Sequence, residues 1–205
     1  MEIVNAFKER RSVNFFDKTK KLEIQLVKEI IDLAVLAPSA FNLQPWRIIV
    51  VESESGKEKL KKLSNNQDKV TEAAVTLILI GNKNGWNDNN PVWAEMLQSV
   101  GGNQQMVDGA KGAAAYLYGT SEDRKLKFAE SNTGLLAMAI MMAATEYGVD
   151  THPMSGIDFD GIKAEFSLAE SETVVMTITM GYFDQSKSLY PRRPRLGFDQ
   201  IASVV

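Results

Sequence analysis

Four short segments hold most of the side chains suited to chemistry. Arg10-Arg11-Ser12 and Asn14 place two guanidiniums, a hydroxyl and an amide close together just after a short amphipathic stretch. Arginine's planar fork binds phosphate through paired hydrogen bonds, so this segment could bind an anion; the plainer alternative is a solvated basic turn. Pro38-Ser39-Ala40-Phe41-Asn42-Leu43-Gln44-Pro45-Trp46 is a loop stiffened by proline at both ends. Ser39, Asn42 and Gln44 could read the polar edge of a planar heterocycle; the plainer alternative is an ordinary helix-to-strand connection, with Ser39 and Asn42 bonding to their own backbone. His152-Pro153-Met154-Ser155-Gly156 ends in a glycine that lets backbone N–H groups approach a ligand. His152 itself reads better as a hydrogen-bonded or partly exposed loop histidine than as a catalytic acid, since no partner for it is identifiable. Arg192-Arg193-Pro194-Arg195 places three cations near the end of an acidic chain, as a second anion clamp or as a solvated tail.

Composition excludes much other chemistry. The 205 residues contain no cysteine and one histidine. Disulfide frameworks, thiolate metal sites, iron–sulfur clusters and thiol catalysis are therefore out of reach, and a multi-histidine metal centre cannot be assembled within one chain. The absence of cysteine also fits a reducing, cytoplasmic setting. A net charge of -3 argues against nucleic-acid binding through bulk charge. No Gly-x-Gly-x-x-Gly follows a strand, and neither a Walker A loop nor a Gly-x-Ser-x-Gly elbow is present. Asp158-Phe-Asp160-Gly161 lacks the remaining ligands of a calcium loop. Met1 to Arg11 has no apolar segment behind it, so no targeting segment is expected. The longest apolar run, Leu135 to Ala144, falls well short of the roughly 20 residues of a bilayer span.

The segments are carried by recognisable elements. Periodicity predicts helices over 2–9, with Ile3, Val4 and Phe7 on one face, and over 23–37, ended by Pro38. Further helices are expected over 56–64 and 123–147, with Gly148 just past the end, and over 159–167. Residues 46–51, 74–80 and 173–180 read as strands, and 10–16 and 150–156 as extended turn and loop. Residues 92–118 read as weakly helical, broken by Gly101-Gly102 and by Gly109. The tail, 186–205, is rich in proline and arginine and becomes β-prone from Ile201. The whole reads as one α+β domain over 1–205.

Taken in this order along the chain, the segments resemble the nitroreductase family of FMN-dependent oxidoreductases, with Pro-Ser-x-x-Asn-x-Gln-Pro-Trp at 38–46 as the most specific piece. The resemblance covers nearly the whole chain. It implies helices around a mixed, mainly antiparallel sheet, and an intertwined homodimer with two FMN molecules at the interface. On that reading Arg10, Arg11 and Ser12 lie near the FMN phosphate or ribityl chain, and Arg193 and Arg195 grip the phosphate. Ser39, with Pro38 and Ala40, comes from the other subunit, while Asn42 bonds to the ring or braces its loop. Asn66, Gln67 and Lys69 fall where the family contacts the pyrimidine side of the flavin. Backbone N–H groups around Pro153, Met154, Ser155 and Gly156 face flavin N5 and O4.

Many relatives have lysine or arginine where this chain has Asn14. Stabilisation of the reduced flavin then falls to Lys69, or the flavin has a lower potential. The resemblance further implies a ping-pong reaction in which NAD(P)H reduces the flavin and a nitroaromatic, quinone or related acceptor reoxidises it, with no side chain acting as acid or base. Residues 84–120 are expected as a lid, with Trp86, Trp93 and Phe128 either on the substrate face or packed inside. Residues 186–205 are expected as an arm that adds a strand to the partner's sheet. Two alternatives use the same fold: a non-catalytic flavin-binding or redox-responsive protein, and a different flavin chemistry such as dehalogenation or flavin breakdown.

Overall fold

The computed structural model describes residues 3–205, so the expectations for Met1 and Glu2 lie outside the described residues. Its centre is a four-stranded sheet, β1 (Trp46–Val51), β2 (Val75–Asn82), β3 (Asp150–Met154) and β4 (Glu172–Gly181), in the order β1-β2-β4-β3. All three pairings are antiparallel. One parallel bridge, Ser12 to Thr151, lays the segment after the first helix along the outer edge of β3. The architecture is the α+β sandwich expected from the sequence.

The near-continuous apolar run of β2 follows from burial on both faces. Leu77 and Leu79 point into one core with Ile178, Met180, Leu136 and Ile140. Ile78 and Ile80 point into the other with Leu60, Ile162 and Val174. The first core is closed by α2 (Ile24–Ala34) and the long α7 (Glu122–Glu146), the second by α3 (Glu54–Lys62) and α8 (Phe159–Glu165). Ser121 starts α7 by accepting the Arg124 amide, and Glu122 and Asp123 sit in its first turn, where the helix dipole favours negative charge.

Residues 150–156, expected as loop, instead form the edge strand β3 from 150 to 154. Asp, Thr, His and Pro carry little strand signal, and Pro153 argues against a strand. An edge position tolerates a residue without an N–H, and pairing to β4 supplies what local propensity does not. The expected break at Gly109 is also absent: α6 (Gln104–Tyr118) runs through it, because Asn103 caps the helix by accepting the Met106 amide and Val107 and Ala114 are buried. Gly101 and Gly102 do interrupt the chain after α5 (Val92–Ser99), both at positive φ. A four-residue turn of helix, α4 (Lys69–Glu72), was not expected. The tail forms the short helix α9 (Phe198–Ile201), and the β-prone stretch from Ile201 onward forms no strand.

The first helix, α1 (Ile3–Glu9), buries Ala6 but leaves Ile3, Val4 and Phe7 exposed. Leu135 on α7, Tyr116 on α6, and Leu196, Phe198 and Ile201 in the tail are exposed as well. Among the described residues no helix is long and apolar enough to cross a membrane.

Candidate functional site

The predicted residues fall into two groups, at opposite edges of the sheet. The larger group lies along β3. The Val13 amide donates to the Thr151 carbonyl (3.0 Å), so 10–14 runs beside β3 as a further extended segment. At its start, Arg10, Arg11, Ser12, Tyr190, Pro191, Arg192, Arg193 and Arg195 enclose a pocket of about 160 Å³. Arg10 is held below the ordinary guanidinium range by burial, and then by the neighbouring charges of Arg192, Arg195 and Arg11. Like charges gathered this way repel one another, and an anion in the pocket would relieve them.

The two clusters meet because the tail folds back over the end of α1. Arg192 donates to the Lys8 carbonyl (2.6 Å) and the Arg10 carbonyl (3.1 Å), and Arg11 donates to the Tyr190 carbonyl. Arg192 therefore ties the tail to α1 and helps build the pocket. Sequence reasoning placed Arg193 and Arg195 in the site but did not give Arg192 this role, because its partners are backbone carbonyls more than 180 residues away.

Further along β3, Lys69 reaches in from α4. Its ammonium donates to Asn14 Oδ1 (2.9 Å) and lies 3.3 Å from His152 Nε2. His152 Nδ1 is 2.9 Å from the Val13 carbonyl, which can only accept. The imidazole is therefore the Nδ1–H tautomer, and its bare Nε2 accepts from Lys69. Burial, then the Lys69 charge, push His152 down to about 4, against the weaker opposing effect of the Val13 hydrogen bond. Burial also lowers Lys69. The partner that His152 lacked in the sequence is Lys69. Asn14, the neutral residue for which Lys69 was expected to compensate, is the acceptor that holds the Lys69 ammonium.

At the end of β3, Met154 is buried in the second core, while Ser155 and Gly156 just beyond it are exposed. The Gly156 carbonyl accepts from Asn65 (3.0 Å) and Gln67 (3.3 Å), tying the 65–67 loop to this turn. Asn65 and Asn66 both have positive φ, a conformation asparagine tolerates better than most residues.

The second group, 38–44, precedes β1 and so lies across three strand spacings from β3, about 14 Å at ~4.8 Å each. Ser39 accepts the Gln44 amide (3.0 Å), Gln44 donates to the Asn42 carbonyl (3.2 Å), and Phe41, Asn42 and Gln44 all have positive φ. Within one chain Ser39 does what the plainer reading anticipated, whereas Asn42 takes part through its backbone carbonyl. The loop is anchored by Asn132, which accepts the Ala40 amide (2.8 Å) and donates to the Phe128 carbonyl (2.6 Å) while nearly buried. Asn132→Ala should cost about 1–3 kcal/mol by stranding the Ala40 amide. Thermal melts should show the loss, and hydrogen exchange should show accelerated exchange at Ala40; unchanged exchange there would contradict the anchoring role.

The aromatic candidates pack. Trp93 and Phe128 are buried in a satellite core with Val107 and Ala114, Tyr118 stacks on Phe128 at 4.5 Å, and Trp86 donates to the Lys83 carbonyl (2.9 Å).

The shifted histidine makes a pH prediction. A base whose folded pKa lies below its unfolded value binds more protons when unfolded, so stability falls as pH drops from about 6.5 towards 4. The full displacement corresponds to ~3 kcal/mol, and solvent around the half-buried ring reduces the expected loss to about 1–2 kcal/mol. Asp150, raised by burial, acts in the opposite sense, since protonation relieves its cost as pH falls. Urea unfolding at pH 6.5 and 4.5 should therefore show a smaller acid loss in His152→Gln than in the natural chain. Equal losses would contradict the buried neutral state.

Together, fold and site define an α+β protein with an arginine pocket and a row of polar groups along one sheet edge. The sequence profile of the nitroreductase family matches residues 7–182, and the chain belongs to that family of oxidoreductases. A Bacillus subtilis protein provisionally named NAD(P)H nitroreductase MhqN is 32% identical over 196 residues, covering 95% of this chain and 93% of the relative. The crystal structure of a provisional Bacillus subtilis nitroreductase, ydfN, superimposes with a TM-score of 0.92 at 31% identity, covering 100% of this chain and 99% of that one. That of a provisional nitroreductase from Exiguobacterium sibiricum, solved in complex with FMN, gives 0.86 at 27% identity, covering 99% and 97%.

Proposed function

We propose that the chain is a homodimeric, FMN-dependent NAD(P)H oxidoreductase, with the cofactor lying along β3. One observation carries this reading: the arginine pocket, the Asn14–Lys69–His152 cluster and the exposed Ser155-Gly156 turn follow one another along a single strand edge. This donor set fits FMN. The pocket gathers arginines for a phosphate that carries about -1.5 to -2. Lys69, with two of its three N–H groups engaged among the described residues, has one left for the pyrimidine edge. When bound, FMN supplies hydride acceptance from NAD(P)H and onward reduction of a nitroaromatic, quinone or related acceptor, the two taken in turn. The chain's own residues bind and orient: Arg10, Arg11, Ser12, Arg193 and Arg195 at the phosphate, Gln67 and Lys69 at the ring, and the backbone at Ser155 and Gly156 beside it.

Two features support a homodimer. Ser39 and Asn42 sit too far from β3 to meet the cofactor in the same chain, so a partner must bring them. The apolar faces of α1, α6, α7 and the tail stay exposed in one chain and suit an intertwined interface. Of the tail expected as an arm, 186–205, residues 190–195 stay at their own chain's pocket; we place 196–205 on the partner as the arm, and α5 and α6, hinged at Gly101-Gly102, over the acceptor as a lid. A donor drawn from the cell's NAD(P)H pool implies a cytoplasmic protein.

The test is FMN binding followed by steady-state turnover. Flavin fluorescence should be quenched on titration, and double-reciprocal plots with NAD(P)H and a nitroaromatic or quinone should be parallel. Intersecting lines would reject the ping-pong order. FMN binding without turnover would leave a flavin-binding protein that is not this enzyme.

A further inference from the structure

We propose that His152 is a positioning residue that holds the Lys69 ammonium against the bound flavin. The inference rests on the FMN reading above. Three hydrogen bonds carry it. The Val13 carbonyl accepts from Nδ1–H, which leaves Nε2 as an acceptor in the neutral ring, and the ring cannot switch tautomer without breaking that bond. Lys69 is shared between this acceptor and Asn14 Oδ1, two uncharged groups 138 residues apart in sequence. The ring's own place is set by β3, where His152 pairs with Thr179 and its carbonyl accepts from the Thr179 hydroxyl (3.3 Å).

The choice of acceptors has a consequence. A carboxylate in either position would hold Lys69 more tightly but would neutralise it. An imidazole and an amide fix the ammonium while leaving its full charge for a flavin edge that becomes negative on reduction. Lysine alone is a flexible point charge with four rotatable bonds, so its placement depends on these acceptors. The low pKa of His152 keeps the ring neutral in this role at ordinary pH.

The experiment compares the reduction potential of bound FMN, and its Kd, in the natural chain and in Lys69→Met, His152→Leu and His152→Gln. Glutamine places an amide oxygen close to Nε2 and can accept from Lys69; leucine cannot. His152→Leu should favour oxidised over reduced flavin by about tenfold relative to the natural chain, a potential roughly 30 mV more negative for two electrons. Lys69→Met should shift it at least as far, and His152→Gln should return most of it. His152 is the only histidine, so ¹⁵N spectra of histidine-labelled, flavin-free protein report on this ring alone. They should show the Nδ1–H tautomer, with the Nε2 signal moving in Lys69→Met.

A natural potential in His152→Leu would overturn the proposal, as would failure of His152→Gln to restore it, or an Nε2 signal that does not respond to Lys69→Met. Each of these leaves the FMN reading standing, provided the natural chain binds FMN. Failure of the natural chain to bind FMN removes that reading and this role of His152 with it.

Discussion

Replacing Arg193 and Arg195 together with alanine is expected to weaken FMN binding by about 10²–10³-fold while leaving the melting temperature of the flavin-free protein nearly unchanged. Both guanidiniums lie at the pocket shared with Arg10 and Ser12, and both belong to an exposed tail segment that supports no core. A hydrogen bond to a charged group contributes about 1.5–3 kcal/mol. Two such bonds, reduced for exposure, give ~3–4 kcal/mol, or about two to three decades in Kd. Arg192 differs, because it holds Lys8 and Arg10 by their carbonyls. Its removal should loosen the tail as a whole, so Arg192→Ala is the comparison that separates a lost ligand contact from a lost clasp. An FMN affinity in the double variant within threefold of the natural value would remove the tail from the phosphate site.

Ile178→Ala is expected to cost about 2–5 kcal/mol of stability, through lost burial and the cavity left behind. Ile178 is fully buried on β4, packs in the core beneath α2 and α7, and pairs directly with Pro153 on β3. For a domain of this size each kcal/mol is worth roughly 2–4 °C, so the melting temperature should fall by several degrees or more. The comparison must be made at one protein concentration, since the proposed dimer would add to apparent stability. β3 carries His152 and the turn that follows, so FMN affinity should fall as well, even well below the melting temperature. A stability change under 1 kcal/mol would mean that this region is not the packed centre of the fold.

The elements most legible in the sequence were those whose local signal agrees with their environment. The apolar run of β2 and the alternation in β4 specify buried strands before any partner is known. α2 and α7 carry both helical periodicity and clear end signals. β3 was not legible, because its stability comes from pairing with β4 on one side and with Ser12-Val13 on the other, and neither is encoded in Asp-Thr-His-Pro-Met. The continuation of α6 through Gly109 was missed for a related reason: tertiary packing of Val107 and Ala114 outweighs the glycine's weak helix propensity.

The candidate site was legible as residue types in four segments, and less so as geometry. The arginine clusters could be paired in advance, and the structure places them around one pocket. The cluster of Asn14, Lys69 and His152 could not be read, because it joins three elements through side chains with ordinary neighbours in sequence. His152 on its own suggested a bonded or partly exposed loop ring. Asn14 suggested the loss of a charge, whereas the structure shows it holding the charge supplied by Lys69.

The most direct test of the central claim is the visible absorption spectrum of the protein with FMN bound, recorded without oxygen before and after adding NADPH or NADH. The account predicts flavin bands that the protein retains through gel filtration and that bleach on adding the nicotinamide. A protein that fails to retain FMN, or one whose bound flavin stays oxidised with both donors, would contradict it.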